Sequence, residues 1–275
     1  MKNLIIKINS DDELKYPFQG YILGVQNFSI CFGKSYTLNE IRNIKQEFPD
    51  KKIFVSLNRV IFQDELDNYK KTLIELDKLN LDGIIVGDIA ALTYGLKTNI
   101  ILDQLHLNNS YLTVKHYTNN NVNGIVLTND ITMDDINKIK EENPSSILFK
   151  QVFGLVHLSS STRNLVTNYL KYFNKEHKSK VYIIKEEKQD DFYYVYEDYF
   201  GSHILNAKPI NLLKYIEELN VDYFVFDTFL LDDFKYALDA YLNYDIKKSL
   251  LIDEKYNANT GFINKKTIYK VKNNE

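Results

Sequence analysis

The chain alternates between short apolar runs and amphipathic stretches for most of its length. Leu4–Ile8, Tyr21–Val25, Ile53–Leu57, Ile84–Gly87, Asn99–Leu102 and Ile125–Thr128 read as six successive strands. Each ends in polar residues. Ile147–Phe153 reads as a seventh and Tyr223–Phe226 as an eighth. Helical spacing fills most of the gaps. Leu38, Ile41, Ile44 and Phe48 share one face behind Thr37 and ahead of Pro49, a capped and terminated helix. Leu66, Tyr69, Leu73, Leu76 and Leu79 form the clearest stripe, over residues 63–79. A short helix follows through Ala91 and Tyr94. Asn108 is placed to cap a helix through Tyr117, and Thr132 one carrying Met133, Ile136 and Ile139. Helices are also predicted after Arg163, over Pro209–Leu219 and through Phe234–Tyr241. Between strands seven and eight the pattern changes to period two. Lys180–Ile184, Phe192–Glu197 and Ser202–Leu205 read as antiparallel strands joined by turns.

Eight strands alternating with helices predict an α/β fold, a (β/α)8 TIM-barrel-like domain over residues 1–252. A small β-insertion, about 180–206, sits between strands seven and eight. Residues 253–275 form a tail expected to pack on the barrel. An open doubly wound sheet follows from the same alternation, and the count of eight favours the barrel.

Composition narrows the function classes. A net charge of −3 gives no broad attraction to nucleic acid, so any such contact needs a local patch. No run approaches the ~20 apolar residues of a membrane span, and the N-terminus turns acidic too early for a signal peptide. We expect a cytoplasmic protein with no membrane partner. Cys31 is the only cysteine among 275 residues. It suits a reducing compartment and argues against an iron–sulfur cluster or zinc finger held by this chain alone.

In a barrel of this kind the working face lies at the carboxyl ends of the strands. The residues there are Asn9, Gln26, Asn27, Asn58, Arg59, Asp88, Asp103, Gln104, Asn129, Asp130, His157 and Asp227. Asn and Asp also end strands simply because they suit turns and caps. The stretch Ile147–Tyr169 adds His157, a hydroxyl-rich loop Ser159–Thr162, and Arg163 ahead of a helix. His157 and Asp130 are the candidates for moving protons. His157 is equally readable as a packed, neutral imidazole. Arg163 and Arg59 are the candidates for gripping a phosphate or carboxylate. Arg163 is also placed to neutralise Glu197 or Asp227. Asn58, Asp88 and Asp227 would shape the pocket. Ser159–Ser161 have no assignable base and read as caps. The histidines show no metal-ligand spacing, and no HExxH, nucleophile elbow or glycine-rich phosphate loop is present. The aromatics Phe192–Tyr194, Tyr196 and Tyr199 could stack bases or line a sheet face.

Several segments, in order, resemble the collagenase-like peptidase family. Phe54–Arg59 and Leu81–Asp88 (LDGIIVGD) resemble its strand–helix–strand ending "DGIIV-D". Leu127–Ile136 (LTNDITMDDI) resembles "LARELSLDEI", and Ile147–Tyr169 resembles "EVFVHG-LC…S…LLSNY". Tyr193–Ala207 (YYVYEDYFGSHILNA) and Thr260–Tyr269 (TGFINKKTIY) resemble "YPIFED-NGTHI" and "TGFFFKETVY". The resemblance implies a barrel and carries a peptidase label. Several family members are instead implicated in oxygen-independent hydroxylation. The short ones act beside a longer paralogue in forming 5-hydroxyuridine at the tRNA wobble position. It therefore implies tRNA and a longer paralogue as partners. The departures bear on chemistry. Asn129–Asp130–Ile131 replaces Arg-Glu-Leu, Lys150 stands near the motif's glutamate, and His157 and Thr162–Arg163 stand where cysteines are expected. Phe224–Asp227 keeps only the acid of its motif. A peptidase or a non-catalytic binding barrel remain the alternatives, and the cofactor is left open.

Overall fold

The computed structural model describes residues 3–185 and 192–265. Its centre is a closed cylinder of eight parallel strands: β1 (Asn3–Lys7), β2 (Gly20–Val25), β4 (Lys52–Leu57), β5 (Gly83–Val86), β6 (Ile100–Leu102), β7 (Gly124–Val126), β8 (Ile147–Gly154) and β14 (Tyr223–Asp227). β1 hydrogen-bonds to both β14 and β2, which closes the ring. The apolar runs of the sequence coincide with these eight strands, because a strand buried on both faces must be apolar throughout.

The two faces bury different clusters. Ile5, Ile22, Phe54, Ile85, Ile101, Phe149 and Val225 point inward, one from each of seven strands, and fill the cylinder. Phe54 meets Phe149 edge-on at 5.0 Å, and Phe149 stacks on Tyr223 at 4.7 Å. The barrel is therefore a plugged core and not a pore. The outward faces pack under α1 (Leu38–Glu47), α2 (Leu66–Asp77), α3 (Tyr111–Thr118), α4 (Met133–Glu142), α6 (Lys235–Leu242) and α7 (Ser249–Tyr256). α1 and α4 begin with reciprocal caps, Thr37 with Glu40 and Thr132 with Asp135. α3 is capped by Ser110 and not by Asn108. Asn108 is buried, and its Nδ2 donates to the Leu102 and Val126 carbonyls, tying β6 to β7.

Between β8 and β14 lies a four-stranded antiparallel sheet in the order β10-β11-β12-β9: β9 (His157–Ser161), β10 (Val181–Lys185), β11 (Phe192–Asp198) and β12 (Gly201–Asn206). Ser159–Ser161 form part of β9, paired with β12, instead of the expected loop. α5 (Leu165–Tyr172) begins without a side-chain cap from its own N-terminal residues. The buried carboxylate of Glu197, from β11, accepts from the backbone N–H groups of Val166 and Thr167 and does that work. Burial raises the Glu197 pKa, but the bonds from Ser202, Thr167 and Val166 outweigh it and hold it below the ordinary carboxylate value.

The helix expected over Pro209–Leu219 is instead a two-residue strand, β13 (Ile210–Asn211), and one 3-10 turn over Leu213–Tyr215. β13 pairs antiparallel with the end of β8. Asn211 is buried, and its side chain bonds Ser249 and Asp253, so tertiary pairing overrides the helical pattern. β3 (Ser35–Tyr36) extends the sheet beside β2. Ser249–Tyr256 is helical across the start of the expected tail, and the Met133 N–H donates to the Ile263 carbonyl. The tail's last residues, 266–275, lie outside the described residues.

Gly154 ends β8 at φ +118°, and a Cβ there would stand 2.2 Å from the Asp227 carbonyl. Gly154→Ala should therefore cost about 2 kcal/mol or more. Urea unfolding should show this as a lower midpoint; an unchanged midpoint would mean that this close approach carries no strain.

Candidate functional site

A cavity of about 130 Å³ opens at the carboxyl ends of the barrel strands. Its floor is the inward layer just described: Ile22, Ile85, Phe149 and Val225 with Phe32. Its walls mix polar groups with Leu105, Leu127 and Leu205. Asn58, Asp103, Asn129, Asp130, Gln151 and Asp227 rise from the strand ends. β9 and its approach close the remaining side with Leu155, Val156 and His157. The volume lies below the ~300–1,000 Å³ of sites that enclose drug-sized ligands. The enclosed part is small, and its mouth is open to solvent.

Four of the seven anticipated residues meet at this cavity: Asn58, Asp130, His157 and Asp227. Asn58 Oδ1 accepts from the Ile30 N–H at 2.9 Å, which fixes the loop carrying Cys31. Asp130 Oδ2 accepts from the Thr128 hydroxyl at 3.4 Å. Asp227 pairs with Lys7 Nζ at 2.8 Å, with both side chains mostly buried. Its other oxygen accepts from Asn9 Nδ2 and the Phe229 N–H.

The other three do not line it. Arg59 is buried, and its guanidinium already forms a two-pronged pair with Glu65, with Nη1–Oε2 at 2.9 Å. That guanidinium holds the Glu65 carboxyl below its ordinary value. Arg59 also donates to the Asn27 carbonyl and stacks 4.7 Å from Phe200, so it joins the barrel to the second sheet. Asp88 caps a 3-10 turn by accepting from the Ala90 N–H at 2.8 Å. Arg163 is exposed, and among the described residues it pairs with neither Glu197 nor Asp227.

Sequence reading missed Lys7, Cys31, Ser56 and Gln151 in the lining. Lys7 and Gln151 were legible in principle, as polar interruptions at inward positions of apolar strands. Cys31 is carried in by a backbone turn at φ +58°, which no local pattern signals. Burial pushes its thiol up to about 12, against the opposing charge of Lys7. Burial likewise raises Asp103, opposed by the Leu105 N–H and by Lys7.

A hydrogen-bonded chain leads away from the cavity. His157 Nε2 lies 2.7 Å from Ser160 Oγ, which lies 2.7 Å from His203 Nδ1. His203 is buried, and its Nε2 stands 3.4 Å from Asp198 Oδ1. Cys31, His157 and His203 each bring one donor atom within 4.8 Å of the others, a thiol and two imidazoles able to hold a metal ion. An iron–sulfur cluster does not fit this set on its own, because such clusters are held chiefly by several thiolates and the chain has one.

The family model for peptidase family U32 matches residues 21–224. The chain belongs to peptidase family U32. This U32 protein is 24% identical over 212 residues to the tRNA hydroxylation protein P2 of Bacillus subtilis (strain 168), covering 72% of this chain and 68% of that one. It is also 24% identical over 216 residues to an uncharacterized protease of Methanocaldococcus jannaschii, covering 72% of this chain and about half, 51%, of the relative. The solved structure of the U32 peptidase Mk0906 superposes with a TM-score of 0.51 at 12% identity, over 82% of this chain and 92% of that one. That likeness shows the shared barrel. Among the described residues no helix is long and apolar enough to cross a membrane.

Lys150, near the family motif's glutamate, faces the helix layer beside the cavity wall. It is buried, and its Nζ donates to the Thr128 carbonyl at 2.8 Å and to Asn129 Oδ1 at 2.6 Å. Burial lowers its pKa from 10.5 to about 7, and Asp130 opposes the shift. Between about 7 and 10.5 the unfolded chain binds the extra proton, so raising the pH favours the fold. Wild type should gain stability relative to Lys150→Met across that interval, read by urea unfolding at stepped pH. Parallel curves for the two proteins would contradict this.

Proposed function

We propose that this U32 protein takes part in hydroxylation of the tRNA wobble uridine. The observation that carries the reading is the match to tRNA hydroxylation protein P2 across most of both chains. The site supports it. The cavity has an apolar floor and hydrogen-bonding groups at its rim, the surroundings a planar polar ring needs. Asn58, Gln151, Asn129 and the carboxyls of Asp103, Asp130 and Asp227 supply donors and acceptors around such a ring. In this reading His157 and Asp130 are the groups that handle protons. A longer member of the same family acts beside this chain and supplies the thiolates it lacks. The location is cytoplasmic, where the tRNA is.

A peptidase reading is favoured by one contact, the Ser160 hydroxyl against the His203 imidazole. The match to the relative named a protease covers 51% of that relative, against 68% for protein P2, and for that reason we place this reading second.

Deleting the gene should abolish or strongly reduce wobble 5-hydroxyuridine, read by mass spectrometry of digested tRNA. Wild type should restore it, and His157→Ala or Asp130→Ala should not. Unchanged 5-hydroxyuridine in the deletion strain would overturn the proposal.

A further inference from the structure

Outside the cavity, the most unusual surface runs from Arg163 to Tyr182. α5 has no fully buried residue. Tyr169, Tyr172 and Phe173 are 58%, 81% and 51% exposed. Single exposed apolar residues are ordinary, but here Phe173 touches both Tyr169 and Tyr172, with ring centroids 4.8 and 5.0 Å apart. They form one continuous aromatic face. The same stretch carries Arg163, Lys171, Lys175, Lys178 and Lys180 against a single acid, Glu176, in a chain of net charge −3. Every residue from Lys171 to Lys180 is exposed. Lys178 pairs with Glu176 at 3.5 Å. Among the described residues Lys171, Lys175 and Lys180 have no ion-pair partner.

We infer that this strip is a docking surface for single-stranded RNA. Bases stack on exposed aromatic faces whatever their sequence, and lysines beside them track the phosphates. The cores of protein–protein interfaces are depleted in lysine, so the lysines beside the rings favour nucleic acid over a protein partner. The strip is also anchored to the second sheet. Glu197 and Ser202 hold the first turn of α5 through the N–H groups of Val166, Thr167 and Leu165. α5 starts eight residues after His157. Identifying that RNA as a tRNA anticodon loop rests on the function proposed above; the surface itself does not.

The test uses the purified full chain and a fluorescein-labelled anticodon stem–loop with an unmodified wobble uridine, read by anisotropy at several salt concentrations. Tyr172→Ala should weaken binding about tenfold. Lys171→Gln combined with Lys175→Gln should flatten the slope of log affinity against log salt by about 1.4. Lys78→Gln, far from the strip at the end of α2, should bind as wild type does. All of these side chains are exposed, so unchanged circular dichroism and melting are expected. Strip variants that bind like wild type, or a wild type that does not bind at low salt, would overturn the inference. So would strip variants that keep RNA binding but lose association with a second protein of the family. The two proposals fail separately. Binding through the strip with unchanged 5-hydroxyuridine in the deletion strain leaves the surface standing and removes the function. Lost 5-hydroxyuridine with strip-independent binding does the reverse.

Discussion

One strand holds the molecule closed. β1 lies between β14 and β2, so residues from opposite ends of the sequence become neighbours along a single seam. An unclosed parallel sheet would expose two rows of backbone donors and acceptors. The seam is also bound by side chains. Lys7 meets Asp227, Asn9 bridges Asp227 and Thr228, and Thr228 donates to the buried carboxyl of Glu13. Burial raises Glu13, partly offset by hydrogen bonds from Asn9, Thr228 and Ser10. The Gly33 N–H, which bonds Asn9 Oδ1, ties the loop carrying Cys31 into the same network.

The cavity follows from that closure. Beneath it the inward aliphatic and aromatic residues fill the cylinder, so a ligand can enter only as far as the last layer. Above that layer the strand ends leave polar groups without strand partners, and closure brings together those, such as Asn58, Asp130 and Asp227, that line the cavity. The second sheet completes one wall. It brings His157 to the rim and places His203 and Asp198 behind it. The geometry thus couples a shallow, hydrogen-bonding pocket to an imidazole–hydroxyl–imidazole chain that runs from the half-buried His157 through the exposed Ser160 to the buried His203.

Much of this is legible in the residues. Period and length separate the eight strands from their helices, because buried parallel strands must be apolar and helices must carry a stripe. The rim is half legible. Asn58, Asp130, His157 and Asp227 stand just past strand ends, and closure carries them inward. Arg59 and Asp88 stand just past strand ends too, but each finds a nearer partner, Glu65 for one and a turn N–H for the other. Local sequence does not reveal such competition. Ser159–Ser161 and Ile210–Asn211 were misread because long-range pairing, with β12 and with β8, sets their conformation. The place of Cys31 in the lining is not legible locally, because it depends on a left-handed turn beside a bond from the Ile30 N–H to Asn58.

The account stands on the β1 seam, and native-state hydrogen exchange tests it directly. The amides of Ile5–Lys7 and Val225–Asp227 should belong to the slowest class, exchanging only through global unfolding. Exchange of these amides well before the central strands β4 and β5 would show an open edge there, and the closed rim that gathers the site would lose its basis.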